Sequence, residues 1–538
     1  MTLTILDAWR TRVSRSPDRP ALAYFDAVLT AREVDEASDA LAAAFADRGV
    51  TPGDRVGIYL QNVPHYALTF LALWKIGAVA LILNPMYRNR ELRHLLDDAQ
   101  PVALVCDESD LDAIEDSLQG STIRFLVSTS GLDLQTRNDP RVFTTTTRVT
   151  PTPENDLLGL VEAYRGHTMG EFTPQPNDLA LLAYTSGTTG PPKGARISHA
   201  NACATATDFG ERAGLEDGDV VFAVAPLFHI TGAMLDAAVA LVRDCLLVFA
   251  HRFHAGVTLD AFVEHRVTYT IGSITVFNAI SETPGADRGH FASVKSLYSG
   301  GAPIPPATVS AFEAKFGCYI HNAYGMTETT AGVIAVPPGL RAPVDASSGS
   351  LSVGLALPRV QLRTLDLAGR PTEPGVAGEL EVSGPQVVSG YWQNPEASAS
   401  TMPEGRVHTG DVAIIDEQGW VYLVDRLKDQ INVSGYKVWP REVEDALYEH
   451  PMVFEAAVVG RPDAYQGESV VAYVSVRSGS AVTTNELLAF ARDRLAAYKR
   501  PKEIHIIDEL PKTQTGKIRR AALKPVSAHT HSNESGTP

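Results

Sequence analysis

The sequence is poor in cysteine, and no two of its cysteines lie near each other. The four are Cys106, Cys203, Cys245 and Cys318 in 538 residues, and no C-x-x-C pair occurs. Zinc sites and dithiol redox motifs usually need such pairs, so both are excluded. Scattered thiols are typical of a reducing compartment, and the first residues lack the basic segment and apolar run of a signal peptide. We therefore expect a cytoplasmic protein.

Long apolar runs and an excess of positive charge are also absent. The most apolar stretch, residues 67–83, is interrupted by Lys75 and Gly77. It falls short of the ~20 apolar residues that a membrane-spanning helix needs. The net charge is −17, and such a surface repels a phosphate backbone. We therefore expect neither a transmembrane segment nor a nucleic-acid partner, and the sequence leaves the oligomeric state open.

Apolar residues are plentiful, at 44% of the chain, and their periodicity alternates between helix and strand. Residues 31–47 and 64–75 have helical spacing, whereas residues 56–60 and 78–83 are typical of short buried strands. This alternation predicts an α/β fold with parallel sheets covered by helices. Residues 129–178 are rich in Thr, Pro, Asp and Asn, which predicts a surface segment.

The periodicity changes in the second half of the chain. Residues 360–425 contain short alternating strands punctuated by Gly and Pro, which predicts an antiparallel or barrel-like element. Beyond residue 428 the pattern is that of a compact α+β unit. We predict a large N-terminal domain of αβ-layered sheets with the barrel-like element, a small α+β C-terminal domain and a disordered polar tail, at residues 1–427, 428–525 and 526–538 respectively.

One loop carries the strongest chemical signal. An apolar strand at residues 181–184 enters a loop dense in Ser, Thr and Gly that ends at Lys193. It is not a Walker A loop, because Pro192 precedes the lysine and Gly194 follows it. Glycines let successive N–H groups turn toward an anion, hydroxyls add donors and the lysine adds charge. The loop therefore suits a polyphosphate, with candidate ligands at Thr185, Ser186, Gly187, Thr188, Thr189 and Lys193.

This loop and four later motifs resemble, in the same order, those of the adenylate-forming superfamily, in particular acyl-CoA synthetases of the fatty-acid–CoA ligase type. The motifs are TSGTTGPPKG at 185–194, YGMTE at 324–328, TGD at 409–411, DRLK at 425–428 and PKTQTGK at 511–517. The resemblance covers about residues 10–525. It implies a carboxylic acid activated by ATP as an acyl-adenylate with release of pyrophosphate. The acyl group would then pass to the thiol of CoA, with Mg²⁺ as cofactor and AMP as product.

The resemblance also implies roles for residues around the nucleotide. Lys517 would contact both the substrate carboxylate and the α-phosphate, Thr327 the α-phosphate, and Glu328 the magnesium ion. The ribose and phosphate oxygens would be held by Asp411 and Arg426. The adenine would lie between a loop and a strand, formed by Gly301, Ala302 and Pro303 on one side and by Asn322, Ala323 and Tyr324 on the other.

The acyl pocket is expected where relatives place theirs. The candidate lining residues are His229, Thr231, Met234, Ser273 and Gly325. Relatives that activate amino acids have an aspartate at the position of His229, so a simple α-amino acid is disfavoured here. The largely apolar lining predicts a fatty or other apolar acid. Ser-Ile-Thr at 273–275 departs from the Val-Pro-Pro of many CoA ligases, which weakens any transfer of chain-length preference.

The C-terminal part is expected to serve both half-reactions by moving about a hinge. Lys428 lies at the family's hinge position, and rotation there would replace Lys517 at the site by the CoA-binding residues Ser434, Gly435, Tyr436 and Lys437. Relatives often have a lysine where this chain has Asn432, which puts one phosphate contact in doubt.

Several alternatives remain open from the sequence. The thiol acceptor could be the phosphopantetheine of an acyl carrier protein, since both acceptors present the same arm. Luciferase-type oxidation of the adenylate, an inactive adenylate-binding module and a phosphotransferase are further alternatives. Products separate them: a ligase releases AMP and pyrophosphate, a kinase ADP, and a binding module neither.

Overall fold

The computed structural model contains two compact units. It describes residues 4–144, 147–149, 154–167, 172–185, 191–346, 348–426, 429–463, 465–477, 479–513 and 517–523. The first unit combines Met1–Asp345 with Leu351–Leu423, and the second combines Ala346–Ser350 with Val424–Pro538. Lys428 and the tail 526–538 lie outside the described residues, so the hinge, the tail and the domain boundary at 427/428 stay predictions.

The first unit alternates helices and strands along most of its length. Its helices are α1 (Ile5–Arg15), α2 (Ala31–Asp47), α3 (Pro64–Lys75), α4 (Asn89–Ala99), α5 (Leu111–Leu118), α6 (Leu157–Ala163), α7 (His199–Arg212), α8 (Val239–Val242), α9 (Ala255–Glu264), α10 (Ile274–Glu282), α11 (Pro306–Phe316) and α12 (Pro395–Thr401). A π-helical segment, Gly232–Ala238, leads into α8.

The strands of this unit are β1 (Pro20–Tyr24), β2 (Ala27–Thr30), β3 (Arg55–Tyr59), β4 (Val79–Ile82), β5 (Ala103–Asp107), β6 (Phe125–Thr129), β7 (Leu179–Tyr184), β8 (Gly194–Ser198), β9 (Val220–Phe222), β10 (Leu246–Phe249), β11 (Tyr269–Gly272), β12 (Ser296–Gly300), β13 (Ile320–Met326), β14 (Ala331–Ala335), β15 (Leu355–Ala356), β16 (Gln361–Leu365), β17 (Gly378–Ser383), β18 (Val407–Ile415) and β19 (Val421–Arg426), the last of which ends in the second unit.

These strands form three sheets. One has the order β6-β5-β3-β4-β7-β8 and another the order β15-β14-β13-β12-β11-β9-β10-β1-β2. Neighbouring strands are mainly parallel, for example β3 with β4 and β5, and β12 with β11 and β13. Antiparallel strands lie at the edges of both sheets. The predicted α/β architecture is confirmed. The Gly- and Pro-punctuated element is an antiparallel sheet in the order β16-β17-β18-β19.

The helix α3 explains how an apolar run with a lysine in it folds. Every residue of Pro64–Lys75 is buried, which fits a helix that is apolar on all sides. Lys75 places its ammonium 2.7 Å from Asp35 and 2.6 Å from Asp39, both on α2, and donates to the hydroxyl of Ser38. The one charge in the helix is therefore paired, which offsets the cost of burying it.

Residues 129–178 differ from the surface segment that the sequence predicts. Part of the segment is helical as α6, and Asp133 is buried. Its carboxylate accepts a hydrogen bond from the Ser130 N–H and lies 3.3 Å from His65 Nε2 and 2.9 Å from Arg148. Polar composition misleads here, because ion pairs and hydrogen bonds allow these acidic residues to be buried.

The second unit is the α+β pattern expected after residue 428. It contains β20 (Ile431–Val433), β21 (Tyr436–Val438), α13 (Pro440–Tyr448), β22 (Val453–Asp463), β23 (Gly467–Val476), α14 (Thr484–Arg492) and β24 (Glu503–Ile506). The sheet order is β21-β20-β23-β22, with β24 parallel to β23. Apolar residues of both helices and the sheet form a separate core.

Burial of His199 at the start of α7 predicts a loss of stability in acid. His199 is 1% exposed, and burial lowers its pKa to about 4, against ~6.5 in an unfolded chain. The unfolded chain therefore binds the proton more tightly. The stability contribution is complete above pH ~6.5, falls as the pH drops toward 4, and amounts to about 3 kcal/mol in full. We expect His199→Gln to flatten this decline, measured by urea denaturation with tryptophan fluorescence at several pH values.

The exposed His94 on α4 provides the matched control. Its replacement by Gln should leave the pH dependence of unfolding as it is in the wild type. If His199→Gln and the wild type lost stability in parallel between pH ~6.5 and ~4, the burial of His199 would not be the cause.

Candidate active site

The phosphate loop begins and ends at a tight junction between β7 and β8. The Thr185 N–H donates to the Lys193 carbonyl at 3.0 Å, and the Lys193 N–H donates to Thr185 Oγ1 at 3.1 Å. These two bonds hold the ends of the loop together and fix the backbone of its lysine. The other candidate loop ligands, Ser186, Gly187, Thr188 and Thr189, lie outside the described residues, so their roles stay predictions.

Tyr391 connects the loop lysine to the predicted magnesium ligand. Its hydroxyl donates to Glu328 Oε1 at 2.6 Å, and the Lys193 ammonium lies 4.5 Å from the centre of its ring. Tyr391 is buried, and burial and the charge of Glu328 raise its pKa above the ordinary value. The phenol therefore stays protonated and remains a donor to the carboxylate. A cation over an aromatic face contributes about 0.5–2 kcal/mol.

Main-chain hydrogen bonds of residues 386–392 hold Tyr391 in this position. The Trp392 N–H donates to the Gly194 carbonyl at 2.7 Å, and the Val388 N–H donates to the Glu328 carbonyl at 3.0 Å. Sequence reasoning did not predict Tyr391. The signal was the Gly390-Tyr391-Trp392 string, but nothing local indicates that this aromatic pair lies beside a strand almost 200 residues earlier.

The YGMTE and TGD motifs also meet. The Tyr324 hydroxyl donates to Asp411 Oδ2 at 2.7 Å. The Asp411 N–H donates to Thr409 Oγ1 at 3.1 Å, and Gly410 between them has φ +71°, a left-handed conformation that glycine adopts without strain. The structure thus brings a tyrosine and a carboxylate predicted to bind adenine and ribose to one place.

Close backbone approach explains the glycine at Gly325. A Cβ there would lie 1.7 Å from the carbonyl oxygen of Ala331, where the register of β13 and β14 shifts. Gly325 therefore has a clear structural reason to be glycine, while its predicted place in the acyl pocket stays untested. Of the residues predicted near adenine, Gly301 and Pro303 are exposed, Ala302 is half-buried, and Asn322 and Ala323 are buried on β13.

The predicted acyl-pocket residues come from neighbouring elements. His229 and Thr231 lie just before the π-helical segment and are half-buried, and Met234 within it is fully buried. The Thr231 N–H lies 3.3 Å from His229 Nδ1, which fixes the ring. Ser273 directly follows β11 and its hydroxyl lies 2.6 Å from that of Thr275.

In the second unit, the predicted CoA residues form the exposed hairpin between β20 and β21. Ser434 and Gly435 have φ of +51° and +87°, and the Gly435 N–H donates to Asn432 Oδ1 at 2.9 Å. Asn432 thus holds the turn in place. Tyr436 is exposed and stacks on Tyr498 at 4.7 Å, and Lys437 next to it is exposed. The tyrosine pair offers an apolar platform that sequence reasoning missed.

The C-terminal lysine is held through its backbone by Thr513. The Thr513 N–H donates to the Lys517 carbonyl at 2.7 Å, and the Lys517 N–H donates to Thr513 Oγ1 at 3.0 Å. Arg520 anchors this segment within the second unit through Asp425 at 2.8 Å and Glu444 at 2.5 Å. Arg426 is exposed at the end of β19. The roles of Lys517 and Arg426 toward the nucleotide stay predictions.

Comparisons with known proteins identify the family. Residues 9–392 match the AMP-binding enzyme family, and residues 442–517 match the AMP-binding enzyme C-terminal domain. The chain belongs to the AMP-binding enzyme family. In the part of the chain that the structure describes, no helix is both long enough and apolar enough to cross a membrane.

Similar proteins span nearly the whole chain. A long-chain-fatty-acid–CoA ligase of Escherichia coli O157:H7 is 32% identical, covering 97% of this chain and 94% of its own length. A feruloyl-CoA synthase of an Amycolatopsis species is 34% identical, covering 96% and 98%. The ATP-bound crystal structure of MatB from Rhodopseudomonas palustris has TM-score 0.85 and 28% identity, covering 97% and 98%.

An anthranilate CoA ligase, solved with anthranoyl-AMP, has TM-score 0.86 and 25% identity, covering 97% of each chain. The expectation of an AMP-forming acid–thiol ligase that uses ATP, Mg²⁺ and CoA is therefore confirmed.

Removing one hydroxyl tests the bridge at Tyr391. Tyr391→Phe keeps the ring beside Lys193 but removes the hydrogen bond that the phenol donates to Glu328. A hydrogen bond to a charged group contributes about 1.5–3 kcal/mol, so we expect kcat/KM for ATP to fall about tenfold or more. The magnesium concentration for half-maximal pyrophosphate release should rise. Tyr391→Leu, which also removes the aromatic face, should lose more.

Tyr422→Phe is the matched control, since the Tyr422 hydroxyl donates to Asp416 at 2.9 Å in the same unit. This variant should retain the wild-type response to magnesium. An unchanged response in Tyr391→Phe as well would show that Glu328 needs no support from the phenol.

Proposed function

We propose that this ligase activates a mainly apolar carboxylic acid, fatty or aryl, and transfers it to CoA through the residues described above. One observation supports the adenylation site most strongly: Tyr391 contacts both the carboxylate of Glu328 and the ammonium group of Lys193. At the predicted pocket, the half-buried His229 offers no permanent negative charge to an α-ammonium group, and Met234 is fully buried.

The first half-reaction joins two anions. A carboxylate oxygen of the acid attacks the α-phosphorus of ATP, the bond from that phosphorus to the β-phosphate oxygen breaks, and pyrophosphate leaves. Repulsion between the anions is the main obstacle, and fixed positive charge with pre-aimed donors offsets it. Lys193, Thr185 and the rest of the phosphate loop would hold the departing phosphates. Thr327 and Lys517 would contact the α-phosphate.

Magnesium fits Glu328. The ion prefers oxygen ligands, keeps several waters and bridges phosphates, so one protein carboxylate suffices. Glu328 is buried and Tyr391 bonds to one of its two oxygens. Among the described residues, no group of three or more His, Cys, Asp or Glu side chains could hold a metal ion. Phosphate oxygens of ATP would complete the coordination, and bound magnesium would neutralise charge on them.

Tyr324 and Asp411, which join the two motifs, would hold the nucleoside. A carboxylate accepts hydrogen bonds from both ribose hydroxyls, and a tyrosine ring stacks on adenine. The Tyr324 hydroxyl already orients Asp411, which keeps the carboxylate in place before ATP binds. Arg426 would bind ribose or phosphate oxygens.

In the second half-reaction the thiolate of CoA attacks the acyl carbon and AMP leaves. The exposed hairpin Ser434–Lys437 supports a role in binding the CoA arm, because Gly435 permits close backbone approach and Lys437 offers charge to phosphates. Exchange between Lys517 and this hairpin requires the second unit to move, and we place the hinge at Lys428.

Loading of an acyl carrier protein is the alternative, because its phosphopantetheine presents the same thiol arm. One assay tests both acceptors. Carboxylic acids of graded length, alkyl and aryl, are incubated with Mg²⁺ and ATP, alone, with CoA and with a phosphopantetheinylated carrier protein. We expect AMP and pyrophosphate with apolar acids and a thioester with CoA. Release of ADP, or a thioester on the carrier protein alone, would contradict the proposal.

Replacement of Lys517 separates the half-reactions. Lys517 offsets charge only while the carboxylate attacks phosphorus, so Lys517→Ala should lower pyrophosphate release about a hundredfold or more. Thioester formation from pre-made acyl-adenylate and CoA should be largely retained. Both rates are measured in single turnovers.

The exposed Lys315 on α11 gives the control variant Lys315→Ala, which should affect neither half-reaction. Equal losses in both half-reactions of Lys517→Ala would contradict the assigned role.

A further inference from the structure

One buried acid has no role in the mechanism described so far. Asp236 is fully buried in the π-helical segment Gly232–Ala238. Its carboxyl group faces the backbone N–H groups of Ala225 and Ile271. Within the described part of the chain, however, neither of its oxygens makes a hydrogen bond of ordinary geometry. An unsatisfied buried carboxyl group is costly, so its presence calls for a partner.

The position of Asp236 coincides with the elements that carry the predicted acyl pocket. Ala225 begins the loop that leads to His229, and Ile271 lies two residues before Ser273. The carboxyl group therefore lies where the parallel strands β9 and β11 end, the edge at which α/β sheets bind ligands. Met234 lies in the same π-helical segment as Asp236, and Thr231 directly precedes this segment.

The local backbone is unusual in a way that favours a ligand site. π-Helical turns are rare and occur frequently at functional sites. A Cβ at Gly232 would lie 2.3 Å from the Pro226 carbonyl, so the segment packs directly on the loop before it. Its other side chains besides Met234 and Leu235 are small, since Ala233, Ala237 and Ala238 accompany Gly232. Small side chains leave the carboxyl group as the main polar feature of this segment.

The chemistry of the group follows from its burial. Desolvation raises the pKa of Asp236 well above its ordinary value, although the two backbone N–H groups oppose the shift. A protonated carboxyl group is both a donor and an acceptor. The nearby Tyr269 hydroxyl already donates to the Leu235 carbonyl at 3.0 Å. A neutral carboxyl group of this kind matches a hydroxyl group or an uncharged aromatic amino group.

We propose that Asp236 forms the far end of the acyl pocket and binds a hydroxyl or uncharged aromatic amino group that the substrate acid carries remote from its carboxylate. This inference rests on the proposed function and narrows its substrate class to apolar acids with one distal polar group. The α-amino acids stay disfavoured, because their amino group lies beside the carboxylate, near His229.

Matched pairs of acids test this assignment. Cinnamic acid is compared with 4-hydroxycinnamic acid, and decanoic acid with 10-hydroxydecanoic acid, by kcat/KM for pyrophosphate release. A site that bonds a substrate hydroxyl strongly rejects the analogue without it. We expect the wild type to prefer the hydroxy acid about tenfold or more in at least one pair. Asp236→Leu should abolish or reverse this preference with an unchanged KM for ATP.

Asp236→Asn is the conservative variant. Its amide keeps a donor and an acceptor without needing a proton, so it should retain most of the preference. Folding of each variant is checked by thermal melting. If Asp236→Leu does not fold, the preference of the wild type for the hydroxy acid still tests the inference.

Two results would overturn the inference while leaving the proposed function intact. One is a wild type that prefers the unsubstituted acid in both pairs. The other is a folded Asp236→Leu variant that loses the same factor with both members of each pair, since that indicates a structural role alone. Failure to release pyrophosphate with any acid would overturn the proposed function and, with it, this inference.

Discussion

The candidate active site depends on one phenol that keeps two opposite charges close without letting them cancel. If Lys193 and Glu328 formed a direct ion pair, each would neutralise the charge that the other must offer to phosphate or magnesium. Tyr391 instead gives its hydroxyl to Glu328 and its ring face to Lys193. Both interactions hold the two charged side chains beside the same aromatic ring. A raised pKa keeps the phenol a donor in this position.

Much of the remaining structure serves to bring distant segments to this phenol. The ends of the phosphate loop are closed by two hydrogen bonds between Thr185 and Lys193. The main chain of residues 386–392 pairs with β8 on one side and with Glu328 on the other. Fixing donors and charges before substrate binds is the most effective form of electrostatic catalysis, because no reorganisation is needed during the reaction. The rigid sheets of the first unit supply that fixation.

The sequence predicts those features whose cause is local. Helical spacing predicts α2 at the residues the structure shows, and alternation predicts the parallel sheets. The resemblance of the motifs to those of the family predicts which residues bind the nucleotide, and these roles stay predictions. Tyr391 could not be predicted, since its partners lie 63 and 198 residues away in sequence and only the fold joins them. The buried part of residues 129–178 is missed for a similar reason: Asp133 is stabilised by partners that composition does not reveal.

Two buried carboxyl groups show that the surroundings of a carboxyl group determine which partners it can bind. Glu328 receives a hydroxyl donor from Tyr391, whose ring face also contacts a lysine. In the described part of the chain, Asp236 faces two poorly aligned backbone N–H groups, and burial raises its pKa. The first environment suits a cation and phosphates, whereas the second suits a neutral partner. An adenylating ligase needs both environments in one unit, because it must hold a polyanion at one place and select an uncharged acyl body at another. Separate elements supply them here: the first arises between β8, Glu328 and residues 386–392, and the second where a π-helical turn packs on the ends of β9 and β11.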